Sequence, residues 1–250
     1  MIVTIDGLNK SYNKHLVLKN ILLEFKEGEI YCIVGKNGAG KSTLFNLMTS
    51  FIKPDSGTIK FDNVVYPDLP IAIKQQIGFM SDVSSLIEEL NAYQYLSLIG
   101  QFYNLNKKMR EDQIAKLLNF FFSETTSIHK TRIKSFSTGM KKKLEICASC
   151  LHLPDFLILD EPFSGIDPIA AQNVITFFSQ YREPYRTILF SSHNLDYIEK
   201  INPVLIILDE FSIKFYGKIS EFVKSFDNKF HESLLIALNY KKVEQDLKWR

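Results

Sequence analysis

Residues 35–43 read Gly-Lys-Asn-Gly-Ala-Gly-Lys-Ser-Thr, the spacing G-x-x-x-x-G-K-[ST]. Residue types in that order suit the binding of phosphate. Gly35, Gly38 and Gly40 let the backbone wrap closely around phosphate oxygens with N–H groups turned inward. Lys36, Asn37 and Ala39 fill the loop between them, and Thr43 completes it. A helix opening behind Gly40 adds partial positive charge. Lys41 then reaches the β- and γ-phosphates, and the Ser42 hydroxyl ligates Mg²⁺. The flanks agree: Glu29–Val34 is a short apolar run that reads as a buried strand, and Leu44–Met48 continues a helix. A phosphate loop alone serves kinases, GTPases and ATPases alike.

A second group of polar residues lies downstream. Phe156-Leu-Ile-Leu is an apolar strand that ends in Asp160-Glu161. Asp160 at the strand end suits Mg²⁺, directly or through water, and Glu161 beside the γ-phosphate suits a general base that polarises water. Between the two groups, Phe136-Ser-Thr-Gly-Met140 opens a helix. Ser137 is a good N-cap there, and Gly139 allows a phosphate to come close. Other features read as bland. Cys147 and Cys150 are spaced C-x-x-C on an apolar helix without a partner pair, as reduced core residues. His15, His129, His152 and His231 show no metal spacing. The run Lys141–Lys143 reads as a solvated helix face, and Tyr93, Tyr95, Phe102 and Tyr103 read mostly as core.

The elements that must position these groups alternate between strand and helix. Ile21, Leu23 and Phe25 alternate with charges, as do residues 57–62, so the first 80 residues are rich in strands, with one helix after Lys41. Ile114, Leu117, Leu118 and Phe121 recur at helical spacing, within a helical insert expected over about 85–150. Thr187–Phe190 and Val204–Leu208 are further buried strands, the first running into Ser191-Ser-His193. Buried strands joined by helices predict a mostly parallel sheet with helices on its faces, an α/β fold. The tail from about Ser220 is charged and predicted helical.

Composition narrows the classes. The chain has 250 residues, 46% of them apolar, and 30 Lys+Arg against 28 Asp+Glu give a net charge of +2. That balance gives no support to a nucleic-acid binder working by bulk charge, and no nucleic-acid partner is expected. Three cysteines do not make a disulfide scaffold. The opening Ile2–Asp6 is strand-like rather than a signal peptide, and the uncharged stretch from Asn91 to Asn106 is too short and polar to span a bilayer. The expectation is a soluble, intracellular, globular chain whose membrane role would come through a partner.

In this order, Gly35–Ser42, Phe136–Met140, Leu157–Glu161, Ser164-Gly-Ile-Asp167 and His193 resemble the nucleotide-binding domain of ABC transporters, over about residues 2–220. The resemblance implies a P-loop NTPase fold of the ABC type: a small antiparallel β subdomain, a core, and a helical subdomain over about 85–150, followed by a tail over 221–250. It implies hydrolysis of ATP with Mg²⁺. Tyr12 would stack on adenine and Val17 flank it. Ser137 and Gly139 would contact the γ-phosphate held by a second ATPase subunit, identical or similar. Ser164–Asp167 would cross that dimer interface, and His193 would contact the γ-phosphate. The helical insert would form a groove for a helix of a separate integral membrane permease subunit, holding the chain at the inner face of the cell membrane.

Two positions depart from the family pattern. Asp82 stands where the family usually has Gln, and it keeps a Mg²⁺ role with a shorter reach. The signature reads Phe-Ser-Thr-Gly-Met, a style that resembles the subfamily exporting drugs, lipids, polysaccharides or peptides. The alternative is a soluble ABC ATPase acting as an assembly or mechanical factor. Such proteins often carry two fused cassettes, a long coiled-coil insert or a strongly basic face, none of which this sequence shows.

Overall fold

A computed structural model describes residues 1–65, 69–123, 128–226 and 229–238. In chain order the elements are β1 (Val3–Tyr12), β2 (His15–Phe25), β3 (Ile30–Val34), α1 (Lys41–Met48), β4 (Ser56–Phe61), β5 (Val64–Val65), α2 (Ile71–Lys74) and β6 (Ile77–Met80). A helical stretch follows: α3 (Ala92–Phe102), α4 (Lys107–Phe122), a 3-10 turn at Ile133–Ser135 and α5 (Thr138–Cys150). Then come β7 (Phe156–Leu159), α6 (Pro168–Tyr181), β8 (Thr187–Ser191), α7 (Leu195–Ile201), β9 (Val204–Asp209), β10 (Ser212–Lys218), α8 (Ile219–Phe226) and α9 (Phe230–Ala237). Of the tail predicted helical, α8 and α9 are helical, and residues 239–250 lie outside the described residues. Among the described residues no helix is long and apolar enough to cross a membrane.

The strands form two sheets. One is antiparallel, in the order β2-β1-β4-β5; the other runs β10-β9-β3-β8-β7-β6, parallel except for β10 at its edge. The parallel strands are apolar on both faces because both faces are covered. In β3, Tyr31 and Ile33 face the core shared with the antiparallel sheet and α1, while Ile30, Cys32 and Val34 face the core under the remaining helices. β7 splits its residues in the same way. Cys147 and Cys150 are buried free thiols in the second core, and burial pushes both thiol pKa values up.

β1 is longer than its sequence suggests. It pairs with β2 up to Tyr12–His15, and Asn13 and Lys14 both turn with positive φ (47° and 70°). Two such residues make the tight hairpin turn whose twist matches the strands. The usual signal is Asn-Gly or Asp-Gly, so Asn-Lys concealed it. The turn places Tyr12 at the tip of the antiparallel sheet.

The helical stretch is held to the parallel sheet by a backbone contact. A Cβ on Gly78 of β6 would lie 2.2 Å from the Ser149 carbonyl oxygen of α5 and 2.7 Å from Pro154 Cγ. Gly78→Ala must therefore push α5 off the sheet edge. We expect it to lower the free energy of unfolding by about 3 kcal/mol, read from urea titration. An unchanged midpoint would mean that β6 and α5 do not touch through backbone.

Candidate functional site

Tyr12, Val17, the loop from Asn37 to Thr43, Asp82, Asp160 and Glu161 line one cleft of about 360 Å³. The loop joins β3 to α1, so the cleft lies at the carboxyl ends of the parallel strands, where open α/β sheets bind ligands. Gly38 and Gly40 have φ of 81° and 103°, which side chains rarely adopt. A Cβ on Gly40 would also meet Val17 and Leu18 at 2.9–3.1 Å, so β2 packs against the loop and carries Val17 into the cleft. Gly35 and Lys36 do not line it. Gly35 is required for another reason: its Cβ would lie 2.3 Å from the Leu208 carbonyl of β9.

Lys41 is 8% exposed, and its Nζ donates to the carbonyls of Gly35 (2.8 Å) and Lys36 (3.3 Å). An ammonium has three N–H donors, so these bonds fasten the loop and leave a third for a ligand. Tyr12 is 44% exposed, with the Lys10 ammonium 5.5 Å from its ring centre. An exposed ring beside a phosphate loop is suited to stacking on a planar base.

The acids are held by a residue that the sequence did not single out. Asp160 is 3% exposed, and its Oδ1 accepts from Ser191 Oγ at 2.6 Å. The same Ser191 oxygen accepts from the Glu161 N–H at 2.8 Å. Ser191 thus ties the end of β8 to the end of β7. Glu161 takes φ of 50°, an uncommon conformation for a side-chain-bearing residue. Its carboxylate is 14% exposed, and Oε2 lies 2.9 Å from His193 Nδ1. His193 itself is 69% exposed and does not line the cleft, so the structure connects it to the site through Glu161. The only sequence signal for Ser191 is its place in Ser191-Ser-His193 at a strand end.

Asp82 lines the cleft beside Asp160 and Glu161. Its Oδ1 is 3.5 Å from Lys142 Nζ, whose side chain is 8% exposed. The three lysines of α5 are therefore not a solvated face. Lys141 pairs with Glu88, Lys142 with Asp82, and Lys143 donates to the Phe121 carbonyl at 2.7 Å and lies over the Phe122 ring. They are drawn in because the loops before α3 and the end of α4 bring acids and a carbonyl against the helix. Of the aromatic run read as core, Tyr95 is buried, but Phe102 is 72% exposed and Tyr93 also reaches the surface.

Ser137 and Gly139 are outside the cleft. Ser137 caps α5, its Oγ accepting from the Met140 N–H at 3.2 Å. Gly139 stands near Ile166 of the Ser164–Asp167 loop. Asp167 caps α6, accepting from the Ile169 and Ala170 N–H groups, both at 2.9 Å, and these bonds hold its carboxyl pKa below the usual value.

The donors fit Mg²⁺ carried with a phosphate ligand. Ser42, Asp82 and Asp160 offer only oxygen, and Mg²⁺ characteristically takes one or two carboxylates together with phosphate oxygens and water. Among the described residues no group of three or more His, Cys, Asp or Glu could by itself hold a metal ion.

The family model for ABC transporters matches residues 18–164. The chain is 35% identical over 201 residues to the ABC transporter ATP-binding protein YcbN of Bacillus subtilis, covering 80% of this chain and 64% of that one. It is 32% identical over 197 residues to the lantibiotic transport ATP-binding protein SrtF of Streptococcus pyogenes, covering 79% of this chain and 82% of that one. A solved ATP-binding subunit of an ABC transporter shares the fold at a TM-score of 0.86 and 26% identity, over 95% of this chain and 99% of that one. The phosphate loop, the paired acids behind it and these matches agree, and the chain belongs to the ABC transporter family, among its ATP-binding proteins.

Proposed function

We propose that this chain is the ATP-hydrolysing subunit of a membrane exporter, working as a dimer closed around ATP and driving separate transmembrane subunits from the cytoplasmic face. The single observation that carries the catalytic part is the setting of Glu161. Its carboxylate stands at the cleft edge, carried by a backbone of positive φ whose N–H is held by Ser191, and is itself bonded by His193. The lantibiotic transport relative and the Phe136–Met140 signature support export. Residues 2–220 form the cassette in this reading, with the helical subdomain at about 85–150 facing the membrane subunits and 221–250 as a tail.

In the proposed reaction Tyr12 stacks on adenine with Val17 beside it, and the loop N–H groups with Lys41 hold the phosphates. Ser42, Asp160 and Asp82 hold Mg²⁺, which when bound neutralises charge on the phosphate oxygens. Glu161 accepts the proton of the attacking water, and His193 keeps that carboxylate oriented through the 2.9 Å bond while reaching toward the γ-phosphate. Ser137 and Gly139 lie away from this cleft, so they serve the nucleotide held by the second subunit.

Glu161→Gln should keep ATP affinity and cut hydrolysis by roughly 10²–10⁴-fold, the usual contribution of a general base. Turnover within tenfold of the unmodified protein would remove Glu161 from that role. Ser191→Ala deprives Asp160 of a donor and the Glu161 N–H of an acceptor. We expect the Mg²⁺ concentration for half-maximal hydrolysis to rise about tenfold, the equivalent of one hydrogen bond. The composite site is tested by mixing two inactive variants, Lys41→Ala and Ser137→Arg. One interface of the mixed dimer then joins an intact Lys41 to an intact Ser137 and should trap nucleotide there. Trapping that never exceeds the sum of the separate variants would show that each chain completes its own site.

A further inference from the structure

A second cavity, of about 180 Å³, opens between α3, α5 and the segment after β6. Its walls are mixed: Val83, Tyr95, Ile99 and Tyr103 give an apolar and aromatic part, Ser81, Ser85 and Ser149 a polar one, and Tyr103 is fixed by parallel stacking on His152 with ring centres 3.6 Å apart. Into this lining α5 brings one acid. Glu145 is 9% exposed, and its Oε1 is buried without a hydrogen-bond partner among the described residues. Burial raises its carboxyl pKa, against the smaller opposing effects of the Ser84 hydroxyl and the Lys142 ammonium. The nearby lysines of α5 have other engagements, Lys142 with Asp82 and Lys141 with Glu88.

A buried acceptor without a partner is destabilising, and more so when charged. Glutamine would fit the same helix position with similar propensity and no charge. An acid here makes sense when a cation arrives from outside. The apolar part of the lining suits the remainder of a basic side chain, because lysine and arginine lay their methylene stems along apolar surface while the head finds a partner. Val83, 78% exposed, extends that apolar surface outward. The segment also separates two cavities: Ser81, Val83 and Ser85 line this one, whereas Asp82 lines the nucleotide cleft.

We propose that Glu145 selects the membrane subunit: the cavity receives a cytoplasmic segment of that subunit which inserts one lysine or arginine, stem against Val83, Tyr95 and Ile99, and head on the Glu145 carboxylate. This rests on the transporter reading above and adds the chemistry by which the partner is chosen. A charge-assisted bond to a buried carboxylate is a strong discriminator, since a partner without the basic residue leaves that carboxylate without a cation. The inserted cation also sits next to the Lys142–Asp82 pair, and so within one ion pair of the nucleotide cleft.

The test uses the full chain, affinity-tagged in the cells it comes from and purified in mild detergent, with integral membrane proteins identified by mass spectrometry. Glu145→Gln should reduce the membrane subunit recovered per chain by about tenfold or more, the scale of losing one partner of a buried charged pair. The same variant should bind ATP normally and melt at the same or a higher temperature, because it removes a buried carboxylate whose Oε1 has no hydrogen-bond partner among the described residues. Glu145→Lys should abolish recovery, and suppressors that restore it should replace one lysine or arginine of the membrane subunit by an acid. Undiminished recovery with Glu145→Gln overturns the role of Glu145 and leaves the transporter reading standing. A lowered melting temperature with Glu145→Gln assigns Glu145 to folding alone and also overturns the proposal. Absence of any membrane subunit with the unmodified chain overturns the transporter reading and this inference with it.

Discussion

Asp160 is a carboxylate buried at the end of an apolar strand, and much of the site follows from that placement. A buried acid is costly unless it is hydrogen-bonded or faces a cation. Here one hydroxyl, Ser191, supplies the hydrogen bond, and the same oxygen receives the next residue's N–H. Two adjacent strand ends are thereby fastened across the sheet, and Glu161 is turned into its unusual backbone conformation with its carboxylate toward the cleft. The phosphate loop at the end of β3 shares the same sheet edge, because β3 lies beside β8 in the sheet order. The cation-seeking acids and the anion-seeking loop therefore face each other by topology, without any long side chain having to reach.

The second constraint is close backbone approach. Gly35 meets the Leu208 carbonyl, and Gly78 meets the Ser149 carbonyl. These contacts seat the phosphate loop on β9 and the helical stretch on β6. Because α5 is pressed against the sheet edge, its charged side chains reach residues that follow β6, and Lys142 meets Asp82. Asp82 thus belongs to two neighbourhoods, the nucleotide cleft and the α5 surface. With glutamine at position 82 the lysine would lose its counter-charge.

Much was legible from residues alone. The glycine-rich loop, the strand ending in two acids, the capped α5 and the buried parallel strands all rest on local rules: a glycine conformation, an N-cap, and the apolar runs of doubly covered strands. Such rules act within a few residues of sequence, so they survive without knowledge of the fold. The reduced core cysteines follow from composition and helical spacing in the same way.

What the tertiary structure alone decided are the pairings between distant segments. Ser191 meets Asp160 across adjacent strands, and nothing in the spacing of residues 160 and 191 announces it. The α5 lysines, which sequence presents as a charge run for solvent, are each engaged because α4 and the loops around α3 fold over them. The aromatic run of α3 divides between core and surface according to which side faces α5. Glu145 looks like any acid of an amphipathic helix until α3 and the segment after β6 bury it. Sequence determined which chemistry the chain carries, since that depends on residue types and local backbone; the fold decided which charges are paired and which are buried, since that depends on contacts between segments far apart in the chain.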